Sequence, residues 1–465
     1  MQTQTASRTR SVLWTTVAAS FGFVIVQLDV TIVNVALPEI SRRLATGVAG
    51  LQWIVDAYTL TFAVLLISAG VLGDRFGSRR AYLQGFFVFL GGSLACGLAT
   101  STGLLIAART LQGIGAALLV PSSLALLNEA AGDDHGLRAR MVALWTAAGG
   151  VSIAAGPIAG AILINAIGWR SIFLVNLPIG ALGIALTLRC VPRDAKVHGN
   201  RTLDIPGQIL AIVALTGLTA SVIESGHRGL LDAFVLGSLA IAVIAAFFFV
   251  RVENRAADPM LPLSFFHLPN FSAAVVFGVL VNLTYYGLVF VLSLYLQQAR
   301  GYSVLRTGFA YLPLTATFIV SNVLSGMMAP RFGPRRPMLV GSLIGMWGFF
   351  LMLSLGASTS FLRMLVPFTF LPLGMGLAVP AMTFVILSCV DRTQAGAASG
   401  VLNTARQAGG AMGVALFGAF VGTGRERIIS GLHHSALIST ALLFTAAALA
   451  WFGIRRRESF YGVGK

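Results

Sequence analysis

Fourteen apolar runs of about 18 to 26 residues follow one another along the chain, at 13–37, 51–72, 81–99, 103–127, 142–167, 171–190, 205–223, 231–250, 271–296, 307–329, 338–355, 364–387, 395–421 and 436–454. Each run is continuously apolar. This predicts membrane-spanning helices, because barrel strands would be roughly 10 residues long with alternating polarity. Short polar segments separate most runs, with longer ones at 191–204 and 251–267. An internal repeat organises the series: GVLGDRFGSRR at 70–80 follows the second run, and GMMAPRFGPRR at 326–336 follows the tenth. The copies lie eight runs apart instead of six. The expected architecture is therefore an all-α polytopic protein of 14 transmembrane helices: a six-helix bundle at 1–203, a two-helix insert and linker at 204–258, and a second six-helix bundle at 259–465.

Composition supports the membrane assignment, with 56% apolar and 10% charged residues in 465. Two arginines precede the first run like the start of a signal peptide. That run is too long, carries Asp29 and lacks a small-residue cleavage site, so an uncleaved first span is expected. The net charge of +16 sits in short clusters between runs and not on one soluble face, which argues against nucleic-acid binding. With the N-terminus inside, 21 of the 32 basic residues fall on cytoplasmic segments, nine fall outside, and Arg109 and Arg406 lie within spans. Both termini are expected in the cytoplasm. Arginine outnumbers lysine so heavily that a high-GC bacterial source, and hence a bacterial inner membrane, is the compositional reading. Lys196 and Lys465 are the only lysines and neither lies in a phosphate-binding loop, so ATP hydrolysis is excluded as the energy source. Cys96, Cys190 and Cys389 imply no disulfide framework, and neither metal nor cofactor is expected.

The polar residues inside the runs carry the candidate chemistry. An ionised side chain at the bilayer centre costs about 2.5 kcal/mol or more, so intramembrane acids face a cavity, a partner or a transport path. Asp29, in LDVTIVNVALP at 28–38, is the first candidate. Counting at about 1.5 Å per residue, Arg109 in the fourth run reaches a comparable depth, so the two can meet. Burial disfavours the charged carboxylate and a guanidinium favours it. That balance suits either a proton-loading group or a permanent structural pair. Asp56, near the start of the second run, is read as a second coupling candidate or as a solvated acid at a helix start. Trp53 and Tyr58 beside it are candidates for stacking on a flat ligand, or members of an interfacial aromatic belt. Arg406 has no acid in its own span and is expected to face a cavity or to bond backbone carbonyls. Asn34, Gln112, Asn282, Tyr285, Tyr286, Asn322 and Gln407 complete the cavity candidates, each with an interhelical hydrogen bond as the alternative role. His433 and His434 read as solvated loop residues.

At these motifs the chain resembles the fourteen-span drug/proton antiporters of the major facilitator superfamily, over essentially its whole length. LDVTIVNVALP resembles their first-span signature, GVLGDRFGSRR their loop between spans 2 and 3, ARTLQGIGAALLVP at 108–121 their span-4 motif, and GPIAG at 156–160 their span-5 antiporter motif. The resemblance implies two bundles rocking about a midplane cavity. It also implies a conformational latch built on Gly70, Gly73, Asp74, Arg75, Gly77, Arg79, Arg80 and Glu129, for which a purely orienting positive cluster is the alternative. Gly149, Gly156, Pro157 and Gly160 form a small-residue face for tight packing or gating. Ala161 stands where a second glycine is usual, Pro330 replaces the aspartate of the repeated loop, and spans 10 and 13 lack the acids of some exporters of quaternary ammonium compounds.

The resulting expectation is a non-enzymatic, proton-coupled secondary antiporter. It would export amphipathic, cationic or neutral drugs or antibiotics, with a dedicated exporter of one endogenous metabolite or antibiotic as the alternative. Its partners would be a small-molecule drug, protons and the lipid bilayer, and it would act as a monomer.

Overall fold

A computed structural model describes residues 2–132, 134–192, 203–256, 258–390 and 394–454. Eight of the orienting charges counted above, on 193–202, 391–393 and 455–465, lie outside these residues. The first half contains α1 (Gln2–Leu44), α2 (Val48–Phe76), α3 (Ser78–Leu98), α4 (Thr102–Ala131), α5 (His135–Ile167), the short α6 (Ser171–Leu174) and α7 (Asn176–Cys190). A hairpin of α8 (Ile205–Arg228) and α9 (Ala233–Glu253) follows. The second half contains α10 (Pro269–Leu294), α11 (Val304–Ala310), α12 (Leu312–Phe332), α13 (Arg335–Met352), α14 (Phe361–Ser388), α15 (Ala395–Ala419) and α16 (Arg425–Ala448). Among the described residues, twelve helical segments are long and apolar enough to cross a membrane. The two long helices outside that set are α13, diluted by Arg335, Arg336 and Pro337, and α15, rich in glycine and polar residues.

Proline marks the local departures from regular helix. Pro178 has no N–H to donate to the Leu174 carbonyl, and the sixth run breaks there into α6 and α7. Pro313 plays the same part at the break between α11 and α12. Pro38, expected to end the first span, lies inside α1, which continues to Leu44. The last helix also starts earlier than expected, at Arg425. His433 and His434 are thus helical, and His433 Nε2 lies 2.8 Å from the Leu355 carbonyl oxygen instead of in a solvated loop.

The RFG repeat has a backbone cause. Gly77 and Gly333 both take positive φ, 97° and 77°, and each ends one helix where the next begins. Other glycines allow helices to close: a side chain at Gly92 would strike the Gln112 backbone, and one at Gly413 the Leu283 carbonyl.

The α8–α9 hairpin lies against one helix from each half. Gln208 donates to the Val64 carbonyl of α2 at 3.0 Å and is bonded by Ser68, while Gly226 abuts Ala419 of α15. Large side chains of α9 such as Ile244 and Phe247 are exposed, as expected of a face turned to lipid.

The two halves are sealed unevenly. One core cluster crosses between them, running from Ile32, Leu37 and Phe173 to Phe277, Val289 and Met382. The other, around Ala18, Tyr82 and Leu127, draws only on the first half. Direct bonds between halves follow the same bias. Gln52 Nε2 donates to the carbonyls of Val414 (3.1 Å) and Ala415 (2.7 Å), Gln297 to that of Val35 (2.9 Å), and Ser293 to that of Asn34. All of these lie toward the end that holds the α1–α2 connection.

Candidate functional site

Asp29 is fully buried inside the first half, ion-paired to the equally buried Arg109. Six helical elements converge on the pair. Arg109 and Gln112, three residues apart, share one face of α4. The guanidinium donates through Nη1 to Asp29 Oδ2 and to Gln112 Oε1 (2.9 Å), and through Nε to the Ile54 carbonyl of α2 (3.1 Å). The other carboxylate oxygen, Asp29 Oδ1, accepts from Gln112 Nε2 (3.2 Å) and from Asn176 Nδ2 of α7 (3.0 Å). Both amides also donate to Ser93 Oγ of α3, at 2.7 and 3.2 Å, and Cys96 donates to Gln112 Oε1 at 3.2 Å. Tyr58 closes the guanidinium face, with its ring centroid 4.2 Å from Cζ, and Phe173 of α6 lies 5.9 Å away. A buried pair survives only with such extra hydrogen bonds to offset desolvation.

A second site lies between the halves. Two small adjoining cavities share Thr31 of α1, Ile153 of α5 and the Tyr285–Tyr286 pair of α10. Asn34 and Pro157 line one; Gln27, Asn282, Phe318, Met375 and Arg406 line the other. Tyr285 stacks on Phe318 at 5.7 Å and meets Tyr286 edge-on at 5.4 Å, giving an aromatic wall. Gln27 and Thr31 flank Asp29 at two residues on either side, so they sit on the opposite face of α1. The acid is thus separated from the cavity by its own helix.

The expected site residues divide accordingly. Asn34, Asn282, Tyr285, Tyr286 and Arg406 line the cavities. Gln112 and Tyr58 belong to the Asp29 network. Trp53, Asn322 and Gln407 line neither cavity; Asn322 bonds the Phe318 carbonyl of its own helix at 2.7 Å, the usual resort of a polar group without a partner across the helix interface. Asp56 is no solvated acid: it is fully buried on α2 one turn from Gln52, and neither carboxylate oxygen has a hydrogen-bond partner among the described residues.

In the loop motif, Gly77 turns the chain. Ser78 donates to Glu129 Oε1 at 2.6 Å, and Arg79 donates to the Leu188 carbonyl at 3.3 Å. On α5, side chains at Gly149, Gly156 and Gly160 would strike Phe23, Thr31 and Ile32, so this face seats α5 on α1. Asn176, Ser93 and Gln52 were not anticipated. Asn and Ser are ordinary in membrane helices, and Gln52, though one turn from Asp56, reads as an interfacial residue.

The Major Facilitator Superfamily profile matches residues 19–414. The chain is 38% identical over 435 residues to a methylenomycin A resistance protein of Streptomyces coelicolor, covering 93% of this chain and 89% of that one. It is 38% identical over 409 residues to the multidrug resistance protein Stp of Mycobacterium tuberculosis (88% and 76%). It is 36% identical over 417 residues to a tetracenomycin C resistance and export protein of Streptomyces glaucescens (89% and 77%). Among solved structures, a partially occluded inward-open conformation of the xylose transporter XylE from E. coli superposes with a TM-score of 0.67 at 14% identity, covering 96% of this chain and all of that one. This last likeness concerns the fold alone.

Proposed function

The chain belongs to the Major Facilitator Superfamily, and on that premise we propose that it is a proton-coupled antiporter exporting amphipathic drugs or antibiotics from the bacterial cytoplasm by alternating access. It is a multi-pass membrane transporter. We count fourteen spans, adding α13 and α15 to the twelve apolar segments and taking α8–α9 as the insert between two six-span bundles. Both termini and the α2–α3 loop are cytoplasmic. The cross-bundle bonds of Gln52, Ser293 and Gln297 then close the outer side, and the conformation faces inward.

The observation that carries the coupling reading is the Asp29 network. The carboxylate charge is held by one guanidinium and two amide donors, so a proton arriving on Asp29 releases Arg109 to Gln112, Ile54 and Tyr58 without leaving it bare. That exchange repacks α1 against α4 and α7, and α1 carries Gln27 and Thr31 on the cavity wall. Asp56 is the second candidate carrier. One proton descending about 150 mV supplies about 3.5 kcal/mol, at about 2.3 kcal/mol per 100 mV. This sustains a gradient of a few hundredfold.

Expression in an efflux-deficient host, profiled against anionic, neutral and cationic antibiotics and dyes, should protect against several compounds. Protection against one alone selects the dedicated exporter, a reading favoured by the single-antibiotic names of two relatives. For the best-exported compound, Asp29→Asn should abolish uphill accumulation in inverted vesicles and leave downhill exchange intact. If the variant still builds a gradient that an uncoupler collapses, Asp29 is not the coupling site.

A further inference from the structure

The charge of the cavity is unbalanced. Of the residues lining the two cavities, Arg406 alone is ionisable to a full charge at neutral pH. Asp29, on the helix that carries Gln27 and Thr31 of the cavity wall, is committed to Arg109 on the far side of α1. Arg406 joins no ion pair among the described residues. Its one bond runs from Nε to Asn282 Oδ1, at 3.5 Å. Asn282 is itself oriented, because its Nδ2 donates to the Gly278 carbonyl at 2.8 Å and so turns Oδ1 toward the guanidinium. Nε is thereby occupied, and the two terminal nitrogens have no partner among the described residues.

A guanidinium within a membrane span is costly unless something neutralises it, and a free pair of terminal nitrogens matches the two oxygens of a carboxylate. The aromatic wall of Tyr285 and Phe318 stands on the same cavity. We infer that the transported molecule is an amphipathic organic anion, its acid group held by Arg406 and its apolar body laid against Tyr285 and Phe318. This rests on the transporter reading above and reverses the sign expected from the sequence. A cationic ligand in the same place would meet an unneutralised guanidinium with no carboxylate lining the cavity to offset it.

The test uses the full chain in lipid nanodiscs and three fluorescent probes with one body: pyrenebutyrate, pyrenebutanol and pyrenebutylamine at pH 7, with empty nanodiscs subtracted. The carboxylate should bind at least tenfold more tightly than the other two. Arg406→Gln should level the three affinities, and Arg406→Lys should retain part of the preference. Should Arg406→Gln fail to fold, Asn282→Leu serves instead, weakening the carboxylate severalfold and leaving the amine unchanged. An amine that binds as tightly as the carboxylate, a preference that survives both Arg406→Gln and Asn282→Leu, or absence of saturable binding by any probe overturns the inference. Adding phosphatidylglycerol to the discs separates sources: unchanged affinity assigns the site to a soluble amphiphile, whereas displacement assigns it to a lipid headgroup and overturns the export substrate. Binding is measured without a gradient. A chain that exports but prefers the amine therefore loses only this inference, and one that prefers the carboxylate but never drives uphill export loses only the coupling proposal.

Discussion

Each half of the molecule carries one arginine deep within a span, and the two are accommodated in opposite ways. Arg109 is 1% exposed, paired with a carboxylate, bonded to an amide and a carbonyl, and covered by Tyr58. Arg406 stands at the cavity with a single 3.5 Å contact. The contrast teaches where charge is kept and where it is offered. The first half holds a neutralised pair, and the second half presents an uncompensated charge to the cavity between them.

The strongest way to break this comparison is to remove each arginine in turn. Arg109→Ala leaves Asp29 buried with its charge unpaired, a loss of about 3 to 5 kcal/mol, and should lower the thermal midpoint of the purified protein by far more than Arg406→Ala does. The double variant Asp29→Asn with Arg109→Gln should recover much of that loss, because neither charge then remains. Equal losses from the two single variants would mean that Arg406 has a structural partner after all.

A smaller effect sharpens the picture of the first half. Asn176 donates to both Asp29 Oδ1 and Ser93 Oγ, and a hydrogen bond to a charged group contributes about 1.5 to 3 kcal/mol. Asn176→Ala should cost about that much in stability and reduce the uphill gradient, with Ser93→Ala milder because Ser93 bonds only the amides. If Asn176→Ala lowers neither stability nor the gradient, the network reduces to the ion pair alone.

How far such residues could be read beforehand depended on how unusual they are in a membrane. Charged side chains in spans are rare, so Asp29, Arg109 and Arg406 stood out, and matched depth sufficed to suggest the first pair. Asn176 sits in NLPIG, where the proline draws attention to a kink and the amide passes as an ordinary helix contact. Tyr58 and Gln112 were assigned to the cavity because continuously apolar helices give no polar face from which to tell inside from between. The span series came through clearly, yet helix ends did not. Hydropathy falls at the membrane surface before the helix stops, so 39–44 of α1 and 425–435 of α16 read as loop. The solvated alternative for Asp56 failed for a similar reason, since proximity to the end of a span suggested solvent, while in the fold α2 packs against α15 even there.

That packing supports the last and smallest prediction, which concerns the seam between the halves and not either charge. Gln52 Nε2 reaches two carbonyls of α15, both on a helix that already uses them in its own ladder, so the net gain is about 1 kcal/mol. Gln52→Leu keeps much of the volume and removes the donor. Its effect on global stability should be barely measurable. The bond is made only while α2 and α15 are together at the α1–α2 loop end, so its loss acts on the conformational equilibrium directly, and about 1 kcal/mol changes a two-state ratio about fivefold. Spin labels on exposed positions of the α1–α2 and α15–α16 connections should show the separated population rising by about that factor. An unchanged distance distribution would place the closing contacts in the apolar seam of Ile54, Val414 and Phe417 instead, with the glutamine merely satisfying its own amide there.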